Sequence, residues 1–236
     1  PVMCNLYTPP TSQQIADAFK TPAPDTPYKP FIAPRDLGPF VTSQGECLVG
    51  IWGMIPPFAK ERTPTARNGR PLSTNNARRE TMATAPTFRN AWKKSRRCLI
   101  PALSWDEPYW GTGKNVWWRF HRADGQPWAL AGLWDEWVDR ETGEVLASYT
   151  MITQPALSHP VLSQMHRPGK EKRAVVPIES ENWDTWLHGS PEHADQLITL
   201  PDPILMLDAP ADPTNPWFVE FSHEDDLPAA FHELPS

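Results

Sequence analysis

Residues 116–153 read VWWRFHRADGQPWALAGLWDEWVDRETGEVLASYTMIT. Three stretches rich in aromatic and aliphatic side chains, Val116 to His121, Trp128 to Val138 and Ser148 to Thr153, are separated by the turn signals Ala123-Asp124-Gly125 and Glu141-Thr142-Gly143. Short β-type runs joined by Gly- and Asp-containing turns read as antiparallel strands. Working outward, Cys98 to Pro101, Cys47 to Ile55 and Ala174 to Ile178 add further strands, and an N-terminal strand precedes a short helix over Thr11 to Lys20. That helix carries a Thr-Ser cap and apolar Ile15, Ala18 and Phe19 at helical spacing. Phe88, Ala91 and Trp92 mark a second helix, and Glu181 to His188, closed by Gly189, a third. Residues 21–39 read as a Pro-rich connection and 59–73 as a polar loop. The expected fold class is α+β: a single domain over residues 3–208, dominated by antiparallel strands with a few short helices, followed by an acidic, Pro-rich tail over 209–236.

The 236 residues include twelve tryptophans and 29 prolines, which favours many short strands over long helices. No apolar run approaches the roughly 18 residues of a membrane span, and no secretory leader opens the sequence. Cysteines at 4, 47 and 98 show neither a pairing pattern nor C-x-x-C spacing, so no disulfide framework, metal or cofactor is expected, and a reducing cytoplasm is the expected compartment. The net charge of −6 is unevenly placed. Between Lys60 and Arg97 stand eleven Lys or Arg against Glu61 and Glu80, whereas thirteen acids and no Lys or Arg follow Arg173. A charge run is ordinarily a solvated face. This one lies between Trp52-Gly53-Met54-Ile55-Pro56-Pro57-Phe58 and Trp92, a mixture that can neutralise a nucleic-acid backbone and stack on bases.

Met3-Cys4 reads as a start methionine followed by cysteine, so loss of residues 1–3 would leave Cys4 N-terminal. Its α-amine (reference pKa about 7.7–8.0) and thiol (about 8.5) would both be partly reactive near neutral pH. Together they can close on one aldehyde as a thiazolidine ring. The bland alternative is a small buried hydrophobe.

Several separated segments together resemble the SOS-response-associated peptidase (SRAP) family. They are Met3-Cys4, Ala33-Pro34, Trp52-Gly53-x-x-Pro56, Asn76-Ala77-Arg78-x-Glu80-Thr81, Arg97-Cys98-Leu99-Ile100-Pro101-Ala102 leading to Glu107, Ala129 to Trp134, Ile152-Thr153, and Met165-His166-Arg167-Pro168 running to Arg173 and Pro177. The resemblance covers residues 3 to about 190 and implies recognition of abasic sites in single-stranded DNA, with covalent capture through the N-terminal cysteine. It implies catalytic roles for Cys4, for Glu107 as a proton shuttle, for His166 as acid or base in ring opening and imine formation, and for Asn76 in orienting the amine and thiol. Burial could raise the pKa of Glu107, and an imidazole titrates near working pH. His159, seven residues earlier, competes with His166, and Asn75 competes with Asn76.

For DNA contacts, Arg78 is the expected phosphate clamp, because a guanidinium fork binds phosphate in two places and positions i and i+2 of a strand share a face. Pro56, Pro57 and Phe58 are candidate base wedges, Thr153 a candidate backbone contact, and Pro34, Trp52, Arg79 and Arg173 complete the implied set; Arg89 and Lys93 are further candidates. Asn5-Leu6 replaces the Gly-Arg common after the family cysteine, Pro108 replaces a Trp after the glutamate, and residues 168–172 lengthen the His-to-Arg segment. A nucleoid location in a bacterial cell, replication or repair proteins as partners, and a monomer complete the expectation. A thiol peptidase using Cys4, His166 and Asn76, also able to release residues 1–3, and a non-covalent single-strand binder are the rivals.

Overall fold

The computed structural model describes residues 5–66 and 69–211. The strands are β1 (Leu6–Thr8), β2 (Leu37–Thr42), β3 (Cys47–Trp52), β4 (Asn76–Arg78), β5 (Arg97–Ala102), β6 (Ser104–Tyr109), β7 (Val116–Arg122), β8 (Trp128–Val138), β9 (Val145–Pro155), β10 (Arg173–Val175) and β11 (Met206–Pro210). The helices are α1 (Ser12–Phe19), α2 (Arg79–Met82), α3 (Arg89–Lys93), α4 (Trp183–His188) and α5 (Pro191–Gln196). The chain is therefore α+β, as expected. Thr11 caps α1 with a complete capping box, its side chain accepting from Gln14 N while the Gln14 side chain accepts from Thr11 N, so two orphan amides of the first turn are satisfied.

The smaller sheet has the order β1-β6-β7-β11, antiparallel throughout. In the larger one, β9-β3-β2-β5-β8 closes on itself through β8–β9 pairing, and β4 and β10 attach to β9. Closure removes the free edges that would otherwise template aggregation. The eleven-residue β9 makes it possible: it pairs β8 over Val145–Met151, β3 in parallel at Ser148 and Tyr149, β4 in parallel at Met151–Thr153 and β10 at its end. These two parallel pairings sit in a fold otherwise built from antiparallel pairs, in keeping with the expected predominance of antiparallel strands. Gly132 on β8 is required by this closeness, since a Cβ there would stand 2.8 Å from Thr150 O and 2.9 Å from Cys98 Sγ.

One apolar core joins the sheets: Tyr7, Trp105 and Phe120 from the smaller pack with Phe40, Trp52, Tyr149 and Met151 from the larger. A second core lays Ile15, Phe19, Trp92 and Trp186 of the helices on Val41, Leu99, Leu133 and Ile152. Burial of whole aromatic side chains, each roughly 150–250 Å², explains the tryptophan content. Three expectations shift. β2 begins inside the supposed Pro-rich connection. β6 continues past Pro101-Ala102 as a strand in its own right. β11 runs across the expected boundary at 208 to Pro210, with Ala211 buried; the rest of the expected tail, 212–236, lies outside the described residues. Among the described residues, no helix is long and apolar enough to cross a membrane.

Candidate active site

β6 presents Glu107, and the turn after the short helical stretch Leu162–Gln164 presents His166. Both side chains are buried, 2% and 3% exposed, and His166 Nε2 lies 3.0 Å from Glu107 Oε2. Burial raises the carboxyl pKa of Glu107, with the His166 hydrogen bond and charge acting in the opposite sense and neighbouring Asp106 adding to the rise. Asp106 is itself buried but held by a two-point ion pair with Arg119, at 2.8 and 2.9 Å. Successive strand residues face opposite ways, so two adjacent carboxyls have separate partners. A proton-holding carboxyl on an imidazole can give and take a proton at one place. His166 Nδ1 is buried and makes no hydrogen bond among the described residues.

The His166 turn is pinned at several points. Its backbone takes the left-handed conformation (φ 63°), which a non-glycine residue adopts only where its surroundings hold it. His166 N donates to Pro108 O at 2.6 Å, and Met165 bridges Tyr109. The Lys172 ammonium donates to the carbonyls of Met165 and His166 at 2.6 and 2.8 Å. His159, the competing histidine, instead binds Pro201 O through Nε2 and caps Val161 N and Leu162 N through Nδ1, a structural assignment.

β1 pairs antiparallel with β6, Leu6 opposite Asp106, one residue before Glu107. Cys4 lies outside the described residues. Asn5 is buried, and its Oδ1 accepts from Asn75 Nδ2 at 3.1 Å. Asn75 in turn accepts from Ser73 Oγ, while its carbonyl accepts from Trp52 Nε1 at 2.9 Å and from Met151 N. Asn75 thus tethers the start of the chain, and Asn76 follows it as the first residue of β4, half-buried. The starts of β1 and β4 are linked in this way, and the start of β1 lies opposite the middle of β6. The other described thiols are unsuited to nucleophilic work: burial pushes Cys47 up to about 12 and Cys98 upward as well.

The expected DNA contacts divide by exposure. Phe58 is 58% exposed and Pro57 is exposed beside it, whereas Pro56 is buried and Pro34 half-buried. Trp52 is fully buried, edge-on to Tyr7 at 5.1 Å between centroids, and holds Asn75 rather than facing solvent. Arg78 is a third exposed and pairs with Glu171 at 2.7 Å. Arg79 is tied to the carboxylate of Asp195 and the carbonyl of Ile198. Arg173 is buried, bidentate on Glu80 at 2.7 Å, bound to Glu171 at 2.7 Å, and donating to Thr153 O and Oγ1; Thr153 is buried with it. In this arrangement Arg173 and Thr153 position α2 and β10 from beneath. Within the basic run, Arg97 reaches the carbonyls of Trp186 and Gly189, and Arg96 reaches Asp135. The run is therefore dispersed and partly neutralised rather than a single stripe. The sequence does not mark Lys172 at all and offers Asn75 only as the competitor of Asn76: a lysine in a polar segment and one of two adjacent asparagines carry no local mark of what they hold.

The solved structures most like this fold include a protein of Bordetella bronchiseptica (TM-score 0.81, 34% identical, covering 89% of this chain and all of that one). A Bacteroides thetaiotaomicron protein shares the fold at TM-score 0.74 and 18% identity. Among curated proteins, the abasic site processing protein YoqW of Bacillus subtilis is 31% identical over 155 residues, 64% of this chain and 62% of YoqW. The abasic site processing protein HMCES of Gallus gallus is 28% identical over 125 residues, 44% of this chain and 36% of its own. The matches thus span less than two thirds of these relatives' lengths. The SOS response associated peptidase (SRAP) family model matches residues 3–210, and the chain belongs to that family.

Proposed function

We propose that this protein processes abasic sites, as its relatives' names say of them, by capturing the exposed aldehyde in single-stranded DNA as a covalent adduct of Cys4 and so shielding the lesion during the damage response. The observation that carries the reading is the buried Glu107–His166 contact on the strand that pairs with β1, which begins two residues after Cys4. Removal of residues 1–3 frees the α-amine. An abasic deoxyribose is mostly a closed hemiacetal; the Glu107–His166 pair takes the anomeric hydroxyl proton and returns one to the ring oxygen, opening it to the aldehyde. The Cys4 amine adds to that carbon, and loss of one water leaves the Schiff base. The thiolate then adds to the same carbon while the imine nitrogen takes a proton, closing a thiazolidine with a net loss of one water. Asn76, neutral and able both to donate and to accept, orients the amine and thiol.

Arg78 is the proposed phosphate clamp, exchanging Glu171 for a strand phosphate, and Phe58 with Pro57 the proposed base contact. The test is a denaturing gel with intact mass spectrometry after incubation with an abasic single-stranded oligonucleotide. Protein starting at Cys4 is expected to form an adduct of protein plus DNA less one water, and Cys4→Ala none. A denaturant-stable adduct of equal yield with Cys4→Ala would assign the chemistry to an amine alone, the α-amine or a lysine, and overturn the thiazolidine.

A further inference from the structure

Most arginines near the candidate site already have protein partners: Arg78, Arg79, Arg96, Arg119, Arg122 and Arg173 are all in ion pairs. Arg35 and Arg62 are different. Both line a cavity of about 100 Å³ with Trp52, Gly53, Thr63 and Asn75 among its walls; among the described residues no carboxylate lines it and neither arginine makes an ion pair. Asn75 in that wall is the residue before Asn76 and holds Asn5, so the cavity adjoins the candidate site by one residue. An independent observation marks Arg35. Its backbone is left-handed (φ 76°), held by Arg35 N donating to Trp52 O at 2.7 Å and Trp52 N donating to Asp36 O at 2.9 Å. Glycine or asparagine would adopt that turn more easily, so the position carries a conformational cost that the side chain must justify.

We infer that the Arg35–Arg62 cavity is an anion subsite that takes a phosphodiester of the strand beside the reacting nucleotide. The inference rests on the proposed function for the identity of the strand, not for its chemistry. Two exposed arginines lining one small cavity, with no acid among the described lining residues to neutralise them, suit a phosphate group. The adjacent Asn75–Asn5 tether would register that phosphate against the capture site.

The test is equilibrium binding of the full chain to an intact single-stranded oligonucleotide without an abasic site, followed by fluorescence anisotropy over a range of salt. Arg62→Gln, on an exposed loop, and Arg35→Asn, which keeps the turn, should each lower the slope of log K against log salt by about 0.7, the value of one lost phosphate contact on a single strand. Affinity should fall several-fold, and Arg140→Gln on the β8–β9 hairpin should leave both unchanged. Wild-type slopes in both variants would overturn the subsite. Displacement of the strand from wild type by inorganic phosphate at constant ionic strength, lost in the double variant, would make it a small-anion site and also overturn the strand assignment. Covalent capture plays no part in this readout, so failure of crosslinking with altered slopes would refute the proposed chemistry and leave the subsite standing.

Discussion

A carboxyl group that has lost its water holds its proton to higher pH than usual, and at Glu107 the His166 contact offsets only part of that rise. The sign of the linkage follows: with the folded pKa raised above the unfolded one, the associated stability is fully present below the ordinary carboxylate range and is lost as pH rises through the raised value. Glu107→Gln removes the buried charge while keeping the shape. The variant should melt close to wild type at pH 4 and higher at pH 8, by roughly 2–4 °C for each kcal/mol gained in a chain of this size. A difference in melting temperature that does not change with pH would show that Glu107 holds its proton no more tightly folded than unfolded. The same change should slow aldehyde capture by about 10²-fold or more, the usual scale for a positioned general acid or base, measured as single-turnover adduct formation at saturating DNA. Only the family resemblance singles out Glu107 and His166, His159 being an equal local candidate, and folding brings the two side chains into contact. Sequence could not separate Asn75 from Asn76, since two like residues differ only in which way a short strand turns them.

Elements hold these residues, and the least legible element is the segment from Met165 to Arg173. Nothing local in its polar residues marks a role, yet Lys172 gathers two consecutive carbonyls and Arg173 anchors two glutamates, contacts created only when distant strands meet. Lys172→Met should relax the left-handed turn at His166. Adduct formation is expected to slow about tenfold while affinity for intact single-stranded DNA stays near wild type, and Lys172→Arg should restore part of the rate. A parallel loss of affinity would mean that Lys172 contacts the strand instead. Arg173→Met leaves Glu80 and Glu171 without their shared cation and takes one donor from Thr153 O. Removing one partner of a buried ion pair costs about 3–5 kcal/mol, and partial exposure of the two glutamates argues for the lower end; the midpoint of urea unfolding reports it. β6 is hard to read for another reason: Asp106-Glu107-Pro108 are poor strand formers, and only pairing with neighbours makes them extended.

At the scale of the molecule, an acidic chain is proposed to bind a polyanion, and the outcome depends on which cations are free rather than on how many there are. Eleven Lys or Arg between residues 60 and 97 would suggest a steep salt dependence, near −8 at about 0.7 per phosphate contact on a single strand. Folding spends several of them within the protein: Arg79 on Asp195, Arg96 on Asp135, and Arg97 on the carbonyls of Trp186 and Gly189. Arg62, exchangeable Arg78 and, from outside the run, Arg35 remain nearest the candidate site, with Arg89 and Lys93 exposed on α3. Three to five contacts predict a slope of about −2 to −4 for an intact single strand. The rest of the affinity must come from contacts that salt does not screen, and exposed Phe58 is the large aromatic available to stack on a base. Phe58→Ala should therefore weaken binding by about 1–3 kcal/mol, the scale of one base–aromatic stack, without changing the slope. If the slope falls as well, Phe58 is holding a basic neighbour in place instead of stacking. A wild-type slope near −8 would mean that DNA breaks the internal ion pairs and recovers the whole basic run.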